Sequence, residues 1–403
     1  MKLVKLKVKK EKKWRIDFLL LFSVILLVAF GVLMVYSASF YSAQLTYGDS
    51  MFFMKKQLVG AIIGLASMII LYFIDYRFLK KLKWISLIVS LVLLLLVFVP
   101  SIGVKVYGAR RWINLGFFTL QPSEIAKFGF IIFASSSLAK MQRQVKSFKG
   151  ILPTLIAGGI ICCLIILEPN MSITICVGVT MITMLFVGGA RFKHFCFLAI
   201  PIALLVPLLI ILEPYRLRRL VAFLDPFASA SSEGFQLVQS LYAVGSGGLF
   251  GVGLFNSRQK YLFLPFAESD FIFSIIAEEF GFVGSCVLIL VFGIVIARGI
   301  IIAMKAPTRF GSYLASGITT IIAVQLVVNI AVVTGSIPPT GLPLPFISAG
   351  STSLVMFMSA IGVLLNIDKQ SYLLGIKKLN FHELNGIKNF NFFHKNKGKL
   401  NNV

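Results

Sequence analysis

Ten runs of mostly apolar residues recur along this chain, near 18–36, 56–74, 84–100, 122–139, 151–167, 171–188, 194–212, 271–297, 310–335 and 346–366. Each approaches the ~20 residues that a helix needs to cross the hydrocarbon of a bilayer. Only 13% of the 403 residues are charged, against about a quarter in a soluble domain. The spacing therefore predicts an all-α polytopic membrane protein of about ten transmembrane helices. The motif "SAS" at Ser37–Ser39 resembles the end of a cleavable signal. The apolar stretch before it exceeds the usual ~7–15 residues of such a signal, so a retained helix is expected.

Charge then sets the orientation. Ten spans put both termini on one side. That side carries 28 of the 39 Lys and Arg residues, ten lie on the other, and Lys127 falls inside a span. Cations concentrate on the cytoplasmic side of membrane proteins, so both termini are expected in the cytoplasm. The net charge of +24 then reflects topology and contact with anionic membrane lipids, and nucleic acid is not an expected partner. The expected organisation is a basic cytoplasmic tail at 1–17, a ten-helix membrane domain at 18–366 with a large extracellular loop at 213–270, and a second basic cytoplasmic tail at 367–403.

The five cysteines lie in apolar segments with no zinc or disulfide spacing, and read as small fillers. All three histidines fall on the cytoplasmic side. A Ser-His-Asp set and a histidine metal cluster are both excluded. The acids tell more. Ten of fifteen sit in outward loops or at outward parts of helices, among them Glu124, Glu168, Glu268, Asp270, Glu278 and Glu279.

Three outward segments carry the chemistry. In "LPFAESDFIFSIIAEEFGFVG" (264–284), a continuous helix would align Asp270, Ser274, Glu278, Gly281 and Ser285 in one polar stripe. An ionisable stripe in a span faces the bundle or water and marks a functional site. For Asp270 the other reading is a helix cap; for Glu278 and Glu279 it is pairing with a buried base. In "YGARRWINLGFFTLQPSEIAK" (107–127), Glu124 and Lys127 share a helix face three residues apart and should point inward. Arg110 and Arg111 suit either lipid headgroups or a phosphate. In 233–266, Glu233–Val244 reads as a short amphipathic helix, followed by glycines able to approach a ligand and by the cations Arg258 and Lys260 near Asp270. The Pro-rich stretch 334–353 is expected to be the wall of a cavity, since irregular backbone at membrane depth must be buried or line one.

These motifs, with "GVLMVYSAS" (31–39), "EPN" (168–170), "GFQLVQSLYAVGSGGLFGVGL" (234–254), "NSRQKYLFLP" (256–265) and "TGLPLPFISAG" (340–350), resemble the shape, elongation, division and sporulation (SEDS) family of FtsW, RodA and SpoVE. The likeness covers about residues 16–367 and leans toward the division and sporulation branch. It implies the SEDS fold in the bacterial plasma membrane. It also implies a peptidoglycan glycosyltransferase that polymerises lipid II at the outer face, with Asp270 as the general base. Glu124 and Lys127 map onto the family's functional Glu and Lys. Arg110, Arg111, Arg258, Lys260 and Ser348 are candidate substrate contacts. The implied partner is a class B penicillin-binding transpeptidase, and the implied cofactor a divalent metal, Mg or Mn, with ligands unassigned. A lipid II flippase and a non-catalytic scaffold are the rival readings. Three departures from the family pattern stand out: Asn170 in place of Asp, Phe266 in place of Glu in the segment before Asp270, and Ala349 and Ser351 in the wall.

Overall fold

The computed structural model describes residues 16–106, 109–114, 119–211 and 214–397, with side chains to Leu374. Most of the expected N-terminal tail, Tyr107, Gly108, residues 115–118 and Glu213 lie outside the described residues. Each of the ten expected runs holds a helix: α1 (Phe18–Tyr47), α2 (Phe52–Phe73), α4 (Lys83–Leu96), α5 (Pro122–Lys140), α6 (Phe148–Leu167), α7 (Met171–Gly188), α8 (Phe192–Ile211), α11 (Ile272–Lys305), α12 (Arg309–Val333) and α13 (Ser351–Lys397). Between them lie the short helices α3 (Arg77–Lys81), α9 (Pro214–Leu224) and α10 (Phe235–Ser246). Among the described residues seven are long and apolar enough to cross a membrane: α1, α2, α6, α7, α11, α12 and α13 over Ser351–Leu374. The expected ten are met as helices; α4 and α5 do not reach that measure, and of α8 only Phe192–Pro201 enters it.

Two features differ from the expected organisation. The outward loop before α5 folds into a small antiparallel meander, β1 (Gly103–Val106), β2 (Ala109–Asn114) and β3 (Thr119–Leu120). The second tail continues α13 as helix to Lys397. Ser37 and Ser39 are fully buried inside α1, which belongs to the core through Leu20, Val24, Leu27 and Met34.

Helices in lipid associate through close packing at small residues. A Cβ on Gly362 of α13 would lie 2.4 Å from the Met68 carbonyl oxygen, and one on Gly64 of α2 would lie 2.5 Å from Met358 Sδ. The stretch between α12 and α13 is irregular, yet Leu342, Leu344, Phe346 and Ile347 are buried. Gln57 of α2 satisfies its backbone from below: Nε2 donates to the Ser348 carbonyl (3.0 Å) and Oε1 accepts from the Gly350 N–H (3.1 Å). Buried irregular backbone must find such partners.

The largest departure from the expected helix is a break in α11 at Gly281, where φ is +67° and ψ −165°. The loop after α10 enters the break and supplies the missing backbone partners. Phe282 and Val283 donate to the carbonyls of Gly248 (2.9 Å) and Leu249 (3.0 Å), and Val252 and Gly253 donate to those of Glu278 and Glu279 (both 3.0 Å). The glycines expected to approach a ligand approach this helix instead. A Cβ on Gly251 would lie 2.1 Å from the Glu279 carbonyl oxygen, and one on Gly281 would lie 2.3 Å from the Gly251 nitrogen. Gly281→Ala is therefore expected to cost ~2–5 kcal/mol through strain and overpacking, read as a lower melting temperature in detergent. Gly245→Ala, where nothing lies within 4 Å, should be neutral or slightly stabilising, because alanine is the better helix former.

Candidate active site

The turn after Leu264 delivers Asp270 to the outer end of α11. The N-cap is Phe271, with no side-chain cap, and the helix begins at Ile272. Asp270 is thus outside the helix. It neither caps it nor shares a stripe with Glu278, and Gly281 interrupts the rest of that stripe.

The Pro-rich wall fixes the segment in place. Ser348 Oγ donates to the Ser269 carbonyl (2.6 Å) and accepts from the Leu344 N–H (2.7 Å). The Ala349 N–H donates to the Glu268 carbonyl (2.8 Å). Asn329 of α12 donates from Nδ2 both to the Asp270 carbonyl (2.8 Å) and to that of Leu342 (2.7 Å). Gly341 passes close enough that a Cβ there would sit 3.1 Å from Asp270 Oδ2. Ser348, expected to meet substrate, spends its hydroxyl on this framework.

Asp270 stays partly open to solvent. Burial nonetheless pushes its carboxyl up to about 6, against the pull of Arg111, Arg219 and the Ser269 hydroxyl. Burial also raises Glu268, and the negative charge of Asp270 adds to that rise. Arg111, on β2, donates from Nε to the Glu168 carbonyl (3.2 Å) and from Nη2 to that of Pro169, so the meander is tied to the turn between α6 and α7. Glu168 is fully buried, and neither carboxylate oxygen has a hydrogen-bond partner among the described residues. Burial pushes it up to about 8, with Arg111 opposing; it is mostly protonated at neutral pH.

The cations that act on Asp270 are therefore Arg111 and Arg219. Arg219 lies on α9 and also reaches the Pro339 carbonyl (3.4 Å). It escaped the sequence reading, although the basic, amphipathic "YRLRRL" in the outward loop was its signal. Arg110 precedes Arg111 on β2, its backbone paired across the meander with Lys105. Lys260, expected near Asp270, is corrected in position. Its side chain is fully buried and its Nζ lies 2.9 Å from Glu279 Oε1, over the rings of Phe40 and Phe255. Ser37 of α1 donates to both oxygens of Glu279 (2.7 and 2.9 Å). Glu278 accepts from Ser257 Oγ and from the Arg258 backbone N–H. The Arg258 side chain is exposed. Glu278 and Glu279 thus brace the loop against α1 and α11; Glu279 pairs with a buried base as expected, whereas Glu278 is held by a hydroxyl and a backbone N–H and by no base among the described residues.

Glu124 and Lys127 do point inward. Both side chains are fully buried, 2.8 Å apart, and Lys127 Nζ also donates to Gln325 Oε1 of α12 (3.2 Å). Gln325 and Asn329 are one turn apart on α12, so the Glu124–Lys127 pair and Asp270 are joined through a single helix face. Two amides at that spacing in an apolar span were a legible signal that the sequence reading passed over. Asn170 caps α7, its Oδ1 accepting from the Ile173 N–H (3.3 Å); asparagine and aspartate cap equally well. Phe266 is 39% exposed with φ +56°, and Ser351 Oγ donates to the Lys56 carbonyl (3.0 Å).

Comparison with known proteins gives the family. The model of the cell cycle protein family FtsW/RodA/SpoVE matches residues 17–373. Stage V sporulation protein E of Bacillus subtilis is 42% identical over 89% of this chain and 99% of its own length. A probable peptidoglycan glycosyltransferase FtsW of Trichlorobacter lovleyi is 41% identical over 87% and 92%. Among solved structures, a chain of a peptidoglycan synthase complex that coordinates polymerization and crosslinking is 28% identical, with a TM-score of 0.75 over 89% of this chain and 99% of that one. The rod shape determining protein RodA of Thermus thermophilus is 26% identical, with a TM-score of 0.66 over 90% and 99%.

Proposed function

The chain belongs to the FtsW/RodA/SpoVE family of multi-pass plasma-membrane proteins, and from that premise we propose that it is a peptidoglycan glycosyltransferase that polymerises lipid II, with Asp270 as its base. The observation that carries this reading is Asp270 itself: a carboxyl at the outer end of a span, open to solvent, clamped by the wall, and raised to about 6. A general base works best when its pKa lies near the working pH, provided it is mostly ionised there. At neutral pH Asp270 meets both conditions.

Asp270 accepts the proton of the acceptor sugar's 4-hydroxyl. That oxygen bonds to the anomeric carbon of the growing strand, with inversion. The bond to the lipid pyrophosphate breaks and its electrons leave on the phosphate oxygen. Arg111 and Arg219 stand where the anionic pyrophosphate needs cations. The buried Glu124–Lys127 pair acts at a distance, by holding α12 and hence Asn329 against the Asp270 backbone. A divalent metal is a further proposal that the family likeness suggests. Among the described residues no three His, Cys, Asp or Glu side chains converge, so no ligand set is assigned and no step here runs through a metal. The likeness to a chain of a synthase complex supports a class B penicillin-binding transpeptidase as partner.

The reading is tested by adding labelled lipid II to the purified protein with its partner. Glycan strands from wild type support it. Movement of lipid II across sealed vesicles without strands would favour a flippase, and neither activity a scaffold. Arg219 gives a finer test. It holds the Asp270 carboxyl down, so Arg219→Gln raises that pKa further. The acid limb of the rate profile then moves to higher pH, and the loss is largest between pH 6 and 7 and shrinks above it. A loss that is uniform with pH would show that Arg219 acts on substrate alone.

A further inference from the structure

The opposite face of the molecule carries a feature that this reaction does not use. An open cleft of about 410 Å³ lies between α3, the start of α4 and the last turns of α5. Arg77, Lys80, Lys81, Lys83, Lys140 and Ser136 line it. Its neighbours fix the end of the bundle at which it sits. Tyr76, just before α3, bonds through its hydroxyl to Thr308 Oγ1 at the N-cap of α12 (2.8 Å) and through its N–H to Asn366 Oδ1 of α13 (3.0 Å). This is the cation-rich side, which faces the cytoplasm.

The five cations have no ion-pair partner among the described residues. The acid nearest in sequence, Asp75, turns its Oδ1 to the Arg77 backbone N–H (2.9 Å). Exposed lysines commonly carry nothing but water. Here, however, they converge on one cleft, above a hydroxyl, Ser136, that is only 2% exposed. An apolar track leaves the cleft. Ile85, Ile88, Val92 and Leu95 form one stripe of α4, each about half exposed. Trp84, 57% exposed, heads that stripe and packs edge-on against Phe133 of α5 at 5.1 Å. Tryptophan marks the headgroup level of a bilayer. Cations at headgroup depth, continued by aliphatic side chains toward the hydrocarbon, match both halves of a phospholipid. A free phosphate would use only the first half.

We infer that this cleft is a binding site for an anionic glycerophospholipid of the inner leaflet, one whose phosphodiester carries no cationic headgroup, such as phosphatidylglycerol or cardiolipin. Basic clefts between helices on the cytoplasmic side bind such headgroups.

The full-length protein in neutral-lipid nanodiscs or detergent is titrated with cardiolipin, phosphatidylglycerol, phosphatidylcholine, and soluble glycerol phosphate. Bound lipid is read by native mass spectrometry and by melting temperature. Cardiolipin and phosphatidylglycerol should bind and raise the melting temperature. The triple variant Lys80→Gln, Lys81→Gln, Lys140→Gln should bind them about a hundredfold more weakly, with an unchanged melting temperature in neutral lipid. The outer-face control Lys55→Gln, Lys56→Gln should bind as wild type. Equal binding by the triple variant, equal binding of phosphatidylcholine, or full competition by glycerol phosphate at the lipid's own concentration would each overturn the assignment. None of these measurements depends on glycan synthesis.

Discussion

Asp270→Asn is expected to lower glycan-strand synthesis by ~10²–10⁴-fold, the usual contribution of a general base. Asparagine keeps the size of the side chain and the Asp270 carbonyl that Asn329 holds, so the scaffold should persist. The wild-type rate should rise with pH through about 6 and then level, because only the ionised carboxyl takes the proton. The variant's residual rate should lose that limb. Stability moves the other way. A carboxyl whose folded pKa is raised above its unfolded value binds more protons when folded, so it costs stability as pH rises from the unfolded pKa through about 6. At neutral pH the amide removes that cost, and the variant should melt no lower than wild type. Full-speed synthesis by Asp270→Asn would remove Asp270 from the chemistry. Glu268→Gln should have a smaller effect and leave the pH limb in place, because burial, Arg111, Arg219 and Ser269 set the Asp270 carboxyl and Glu268 does not.

What could be read in the sequence was whatever lipid imposes along a single segment. Twenty apolar residues must become helix because no water is present to satisfy a bent backbone, so each of the ten segments was visible without knowledge of its neighbours. The inward pair Glu124–Lys127 was legible on the same ground. The misreadings came where a second segment supplies the missing partners. A continuous α11 was the expectation through Gly281, because nothing in "EEFGFVG" says that the backbone of residues 248–253 will pair with it. Lys260 was placed beside Asp270 by nearness in sequence, but Glu279, nineteen residues on, holds it in a buried pair. Arg219 and Asp270 are fifty-one residues apart in number and meet only because α9 and the wall fold over the same spot. Buried Ser348 reads from sequence as a free hydroxyl in a polar run, whereas the fold gives it two backbone partners. Long-range pairing of this kind leaves no local period to detect.

Lys260→Met is expected to be among the most damaging single changes in the outward loop. The Lys260 and Glu279 side chains are both fully buried, and removal of one partner from a buried pair costs ~3–5 kcal/mol because the other charge is left without compensation. Ser37 would remain on Glu279, but a hydroxyl does not neutralise a carboxylate. The double variant Lys260→Met, Glu279→Gln should recover much of the loss, since neither member of the pair is left charged without the other; the coupling measured by that cycle is the worth of the pair in place. The two assignments of Lys260 predict opposite data. A substrate-binding lysine would raise KM when replaced and leave the melting temperature alone, and Glu279→Gln would not rescue it. A brace would lower the melting temperature and kcat together, because the segment it anchors runs ten residues on to Asp270. Rescue by Glu279→Gln would then restore both.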